Sequence, residues 1–124
     1  MIRGEIWWCD FGVPRGSEAG YRRPVLIIQD NNFNKTELNT VLVLPITTNL
    51  SLKDVSGNVF LPKEISGLSK DSVVVMPLLT HVDKQVLEEK CSKITNKSTI
   101  EEIEDGLLLI LGINSSYPIF NYAY

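Results

Sequence analysis

Apolar and polar positions along the 124-residue chain group first into short runs of strand length. Ile6-Trp7-Trp8-Cys9-Asp10-Phe11 is aromatic and brief and stops at Gly12 ahead of Pro14, which predicts a strand. Pro24-Val25-Leu26-Ile27-Ile28-Gln29 is a continuous apolar run closed by Asp30-Asn31-Asn32, and it predicts a buried strand with Pro24 at its first position. Thr40 to Thr48 predicts a third strand in which Pro45 marks an edge or a bulge. Gly57 to Leu61 predicts a short fourth, and Ser72 to Thr80 a fifth, apolar on both faces through Val75 and interrupted by Pro77. Five or six strands without helices spaced between them predict an antiparallel meander or small barrel rather than βαβ units.

Helical spacing enters late. Val86, Leu87, Cys91 and Ile94 recur at roughly helical intervals, predicting a helix from Lys84 to Ile94 with Asp83 as its N-cap. Ser98-Thr99-Ile100-Glu101 has the form of a capping box, and Ile100, Ile103, Leu107, Leu108 and Leu111 predict the apolar stripe of a last helix that Gly112 closes. Residues 114–124 form an aromatic tail with Tyr117, Phe120, Tyr122 and Tyr124. Such a tail is either a partly disordered terminus or a segment laid over an apolar patch, on this chain or on a dimer mate.

Composition sets the class. With 44% hydrophobic and 22% charged residues the chain carries too much apolar surface for wholesale disorder, and its length supports one domain with one substantial core. No apolar run approaches the about 20 residues needed to span a bilayer, and Met1 to Glu5 lacks the apolar stretch of a secretory signal, so the expected setting is the cytoplasm, away from any membrane. Cys9 and Cys91 stand far apart with no CxxC pattern and are expected as reduced thiols, core rather than catalytic.

The net charge of -3 speaks at first against a nucleic-acid partner, but its distribution changes that picture. The acidic excess lies in residues 63–124, whereas all four arginines fall within the first 23 residues. Arg15, Arg22 and Arg23 belong to or flank the segment from Gly12 to Gly20, whose glycines and proline suit an exposed loop. Arginine offers a permanently charged fork of donors that matches phosphate, and a strand-end hydroxyl such as Thr47 or Thr48 can donate to a developing oxyanion. Ser17 and Glu18 add polar groups in the same loop. From composition alone the plainer reading, a turn-rich loop with solvated arginines and Thr as a strand former, stands ahead of a site. Cys9, His81 and Cys91 supply three metal ligands only if the fold gathers them, and no P-loop, GxSxG or HExxH sequence is present, so neither metal nor cofactor is expected.

Taken in order, Gly16-Ser17-Glu18-x-Gly20-x-x-Arg23-Pro24-Val25-Leu26-Ile27-Ile28, Val43-x-Pro45-Ile46-Thr47, Asp71-Ser72-Val73-Val74 and Val82-Asp83-Lys84 resemble the MazF/PemK family of toxin endoribonucleases from bacterial toxin–antitoxin systems. The likeness runs from about Met1 to Gly112, giving a toxin domain over residues 1–113 and a tail over 114–124. It implies an SH3-like β-barrel with short helices and a C-terminal helix, working as a homodimer. It also implies metal-independent cleavage of single-stranded RNA and a cognate antitoxin that blocks the RNA groove and joins the toxin in binding DNA. Carried over by position, the catalytic residues are Arg23, Thr47 and Glu18, with Arg15, Ser17, Arg22, Thr48 and His81 expected to meet RNA.

His81 is the chain's only conventional near-neutral base, which makes it a candidate titrating group, although a lone His before a helix cap is more often a surface or packing residue. Relatives often carry Gln and Arg where this chain has Leu78 and Thr80, which puts base preference in question more than cleavage. Two other functions fit the same barrel. One is a CcdB-like toxin that inhibits DNA gyrase by protein contact, echoed only partly by Leu111-Gly112-Ile113; the other is a catalytically decayed RNA-binding homologue, suggested by the segment from Leu78 to Thr80.

Overall fold

The structure, a computed structural model, describes residues 1–13, 16 and 21–113. Seven strands carry the fold: β1 (Glu5–Asp10), β2 (Arg22–Ile27), β3 (Thr40–Thr47), β4 (Val59–Leu61), β5 (Ser72–Val74), β6 (Thr80–Asp83) and β7 (Leu87–Lys93). Two four-residue helices, α1 (Asn31–Asn34) and α2 (Lys63–Ser66), and the long α3 (Lys97–Leu111) complete it with three short 3-10 turns. Every pairing is antiparallel, in the order β4-β5-β3-β2-β1-β7, with β6 pairing β3 beside β5. This is the small β fold with a C-terminal helix expected from the strand-length runs, although the ladder from β4 to β7 does not close on itself.

Alternation along the strands sends apolar side chains to both faces of this bent sheet, so burial is divided. Ile6, Leu26, Leu44, Ile46, Leu61, Val74, Met76, Ile94 and Ile103 form a cluster that α3 covers. Cys9, Val25, Ile27, Val41, Val43, Val82 and Leu87 form a second cluster on the other side of β2 and β3. The expectation of one substantial core is therefore corrected: central strands that are apolar on both faces require cover on both faces.

Pro45 sits in the central strand rather than at an edge. Its carbonyl accepts from Val75 N–H, and β3 exchanges partners there, pairing with β6 through Thr40–Val43 and with β5 through Ile46–Thr47. The missing N–H of Pro45 thus faces the gap where the chain leaves the sheet as the Met76–Leu78 3-10 turn. That turn also splits the expected strand from Ser72 to Thr80 into β5 and β6. β2 starts two residues earlier than its apolar run, because Arg22 and Arg23 pair with Asp10 and Cys9 of β1.

The helix expected from Lys84 to Ile94 is a strand. Asp83 does cap, accepting from Gln85 N–H at 2.8 Å, but the helix it starts is a single 3-10 turn, Lys84–Val86, before β7 pairs with β1. Two register shifts leave Glu88 and Cys91 as extra residues in β7 and break its period of two, which is why its apolar positions imitate helical spacing.

In α3 the N-cap is Asn96 rather than Ser98. The Asn96 carboxamide oxygen accepts from Thr99 N–H at 3.0 Å, from the Thr99 hydroxyl at 3.1 Å and from the Ser98 hydroxyl at 2.8 Å, so the Ser98/Glu101 box is not used. Gly112 ends the helix in the left-handed conformation, as expected. The stripe is apolar through Ile100, Ile103 and Leu107, whereas Leu108 and Leu111 are exposed, as are Leu109 and Ile110 between them. The tail from 114 onward lies outside the described residues.

Candidate active site

β1 and β2 hold a loop between them by its neck. Phe11 N–H donates to Tyr21 O at 2.9 Å, Tyr21 N–H returns to Gly12 O, and the Asp10 carboxylate accepts from Gly12 N–H at 2.8 Å. Gly12 takes φ 71°, which glycine adopts readily, while Tyr21 takes φ 58°, which a side chain opposes. Arg15, Ser17 and Glu18, three of the expected site residues, lie outside the described residues of this loop.

Beyond the neck, strand alternation separates the two arginines. Arg22 faces Asp10 across the β1–β2 ladder and Arg23 faces Cys9, so their side chains leave opposite sides of the sheet. The β2–β3 ladder runs Ile27↔Val43, Leu26↔Leu44, Val25↔Pro45. Continued by two residues, the same register sets Arg23 opposite Thr47, on one face of neighbouring strands. On neighbouring strands this continued register directs both side chains to the same side of the sheet.

Thr47 is the last residue of β3, and the turn after it fixes its hydroxyl. Asn49 N–H donates to Thr47 Oγ1 at 3.2 Å, while the Asn49 carboxamide oxygen accepts from Ser51 N–H at 3.2 Å and Ser51 Oγ at 2.7 Å to start the Leu50–Asp54 3-10 turn. Among the described residues no acceptor takes the Thr47 hydroxyl proton, so the group has a donor to offer. Thr48 follows, exposed.

Arg22 is occupied elsewhere. Its guanidinium lies 4.3 Å from the Trp8 ring centroid, donates from Nε to Glu88 at 2.6 Å and from Nη2 to Glu89 at 3.1 Å. His81 is exposed on β6 opposite Leu42, which is five residues and about 16 Å along β3 from Thr47 and on the other face. The continued register thus puts Arg23 and Thr47 on one side of the sheet, while Arg22 and His81 of the same chain stand on other faces. Cys9 is buried, and burial first, with the charges of Asp10 and Glu88 adding to it, pushes its thiol up to about 12. Among the described residues no three His, Cys, Asp or Glu side chains gather as a metal-ligating group.

Residues 2–111 match the family model of PemK-like, MazF-like toxins of type II toxin–antitoxin systems. The chain belongs to this family. The toxin is 38% identical over 113 residues to Endoribonuclease MazF2 of Mycobacterium bovis and to Endoribonuclease MazF6 of Mycobacterium tuberculosis, covering 91% of this chain and 98% of each relative. Its fold is that of MazF from Deinococcus radiodurans, with a TM-score of 0.74 at 22% identity over 90% of this chain and 96% of the other. A mycobacterial endoribonuclease solved in complex with its cognate antitoxin superposes with a TM-score of 0.70 at 21% identity, covering 95% and 97% of the two chains.

Trp8, Glu88 and Glu89 of the toxin escape sequence reasoning as the residues that hold Arg22. Their only signal is an acidic pair that reads as the solvated side of a helix until β7 is seen as a strand.

Proposed function

We propose that this MazF-type toxin endoribonuclease cuts single-stranded RNA at the place where Arg23 and Thr47 face each other, without a metal ion. The observation that supports the reading is the β2–β3 register, Val25 opposite Pro45, whose continuation by two residues directs a permanent cation and a hydroxyl donor to one face. In the reaction the ribose 2′-oxygen attacks the neighbouring phosphorus and the bond to the 5′-oxygen breaks. The products are a 2′,3′-cyclic phosphate and a 5′-hydroxyl, which takes up the proton. Negative charge grows on the phosphoryl oxygens as the new bond forms, and a preorganised guanidinium with a hydroxyl donor stabilises it there. DNA, lacking the nucleophile, is spared. Glu18, from the family resemblance, is the third catalytic residue, and Arg15, Ser17 and Thr48 line the RNA path.

The family assignment gives the toxin a cognate antitoxin as partner. The working unit in this reading is a homodimer in the cytoplasm, supported by the end of α3, where Leu108, Leu109, Ile110 and Leu111 are exposed together, an apolar patch of the kind that a second copy would cover. No helix among the described residues is long and apolar enough to cross a membrane. The test is incubation of antitoxin-free protein with an unstructured RNA in EDTA, followed by mapping of 5′-hydroxyl ends. Cuts at one short motif, absent with Arg23→Ala and with Thr47→Ala, are expected; intact RNA with the parent protein, or equal cutting by both variants, overturns the reading.

A further inference from the structure

Arg22 is held on three sides by residues from two neighbouring strands. Trp8 of β1 lies under its guanidinium, and Glu88 and Glu89 of β7 take its donors. Two consecutive carboxylates reach one guanidinium because β7 is bulged there. Trp8 pairs with Glu89 and Cys9 with Leu87, so Glu88 is the extra residue, and a bulge re-aims side chains that otherwise alternate.

The backbone just before Arg22 gives this construction its purpose. Tyr21 is the only described non-glycine residue at positive φ, and it closes the loop neck through its bonds to Phe11 and Gly12. A left-handed side-chain-bearing residue persists where its surroundings over-determine it. Without the side-chain hold on Arg22, only the end of the β1–β2 ladder, Arg22 with Asp10 and Arg23 with Cys9, resists rotation at Tyr21, and the residue displaced with it is Arg23.

We propose that Arg22, clamped by Trp8, Glu88 and Glu89, is a positioning residue that fixes the direction of Arg23. The inference rests on the reading of Arg23 as the phosphate-stabilising cation. It gives Arg22 a role other than contact with RNA phosphate: two carboxylates already neutralise it and leave the cluster with net negative charge, which repels a phosphate. Misplacement of a catalytic group by about 1 Å costs up to about 100-fold in rate, whereas exposed ion pairs add little to stability.

The two roles predict opposite signs for one variant. With Glu88→Gln/Glu89→Gln, a clamp loses its hold, so kcat falls about 10-fold while KM and its salt dependence stay unchanged. If Arg22 were instead a masked phosphate contact, the same double variant would free a cation, lower KM and steepen the salt slope by about 0.7. The substrate is a fluorogenic single-stranded RNA carrying the motif at which 5′-hydroxyl ends accumulate. Thermal unfolding is followed in parallel, and a midpoint within about 4 °C of the parent is expected. Should the double variant fail to fold, Arg22→Lys decides: it keeps the charge but loses the fork, and a clamp predicts the same kcat loss. Parent-like kcat for whichever variant is read, or tighter RNA binding by the double variant, overturns the clamp while Arg23→Ala remains at background. Parent-like turnover by Arg23→Ala brings down the catalytic reading itself and the clamp with it.

Discussion

Gly106 of α3 lies so close to Gly57 that a Cβ on residue 106 would stand 2.4 Å from the Gly57 carbonyl oxygen. A helix interior ordinarily gains about 1 kcal/mol when Gly becomes Ala. Here the atom met is backbone, with Met76 side-chain atoms at 3.0 and 3.2 Å behind it, so the neighbour cannot rotate away. Gly106→Ala is expected to destabilise by about 2 kcal/mol net, roughly 8 °C in Tm, by forcing α3 off the loop before β4. A variant as stable as the parent in thermal unfolding would show that α3 does not pack at this distance.

Asn96 rather than Ser98 starts that helix, and the two differ in what their removal exposes. Asn96 accepts from one backbone N–H and two hydroxyls, whereas Ser98 Oγ is itself bonded only to Asn96 in this network. Asn96→Ala is expected to cost about 1 to 2 kcal/mol in urea unfolding and Ser98→Ala less than about 0.5. Equal effects from the two substitutions would restore Ser98 as the cap.

How far the sequence reveals this molecule depends on which signal a residue obeys. β2 and β3 are legible because Val25 to Ile28 and Val41 to Ile46 are apolar on both faces, as two-sided cover demands. The Arg23–Thr47 relation is legible only through family likeness, since pairing of positions 24 residues apart is a matter of register and leaves no local mark. β7 is misread because Glu88 and Cys91 are bulge residues, while Pro45, read as an edge or a bulge, marks an exchange of partners inside a central strand. Arg22 and Arg23, adjacent and chemically identical, part company only when the pleat assigns them to opposite faces.

Glu5 links acidity to stability. It is 5% exposed and accepts from Ile2 N–H at 2.8 Å and Trp7 Nε1 at 3.0 Å, with Lys90 Nζ at 3.0 Å. Burial alone raises its pKa, but the bonds from Trp7, Lys90 and Ile2 together outweigh it and hold the carboxyl below its ordinary value. A depressed folded pKa contributes stability that is present above the unfolded value of about 4.3 and is lost as pH falls through the folded one. Glu5→Gln should therefore be less stable than the parent by about 1 to 3 kcal/mol at pH 7, with the gap narrowing below about pH 4. A gap independent of pH between 3 and 7 would remove the ionised carboxylate from the account.

Cys9 should be chemically silent while the protein is folded. It is fully buried with its thiol at about 12, so thiolate is scarce at any pH the fold tolerates. Titration with a disulfide reagent at pH 8 is expected to modify Cys9 only at the rate of unfolding, and at once in denaturant. Prompt modification in the native protein would mean that the cluster around Cys9 opens.

Thr47 offers the sharpest test of the site's chemistry, because its hydroxyl has two separable uses. The oxygen accepts from Asn49 N–H and so steadies the end of β3, while the proton is available to a phosphoryl oxygen. Serine keeps both uses; valine has nearly the shape of threonine and keeps neither. Loss of the Asn49 contact, partly exposed, costs about 1 kcal/mol of stability, whereas removal of one oxyanion donor lowers kcat by about 10²- to 10³-fold. Thr47→Ser is expected to stay within about 10-fold of parent turnover. Thr47→Val should fold with a slightly lower Tm, bind RNA with unchanged affinity, and turn over at least 100-fold more slowly. If valine instead weakens binding and leaves the single-turnover rate intact, Thr47 holds the ground-state substrate and the oxyanion must be stabilised by other donors.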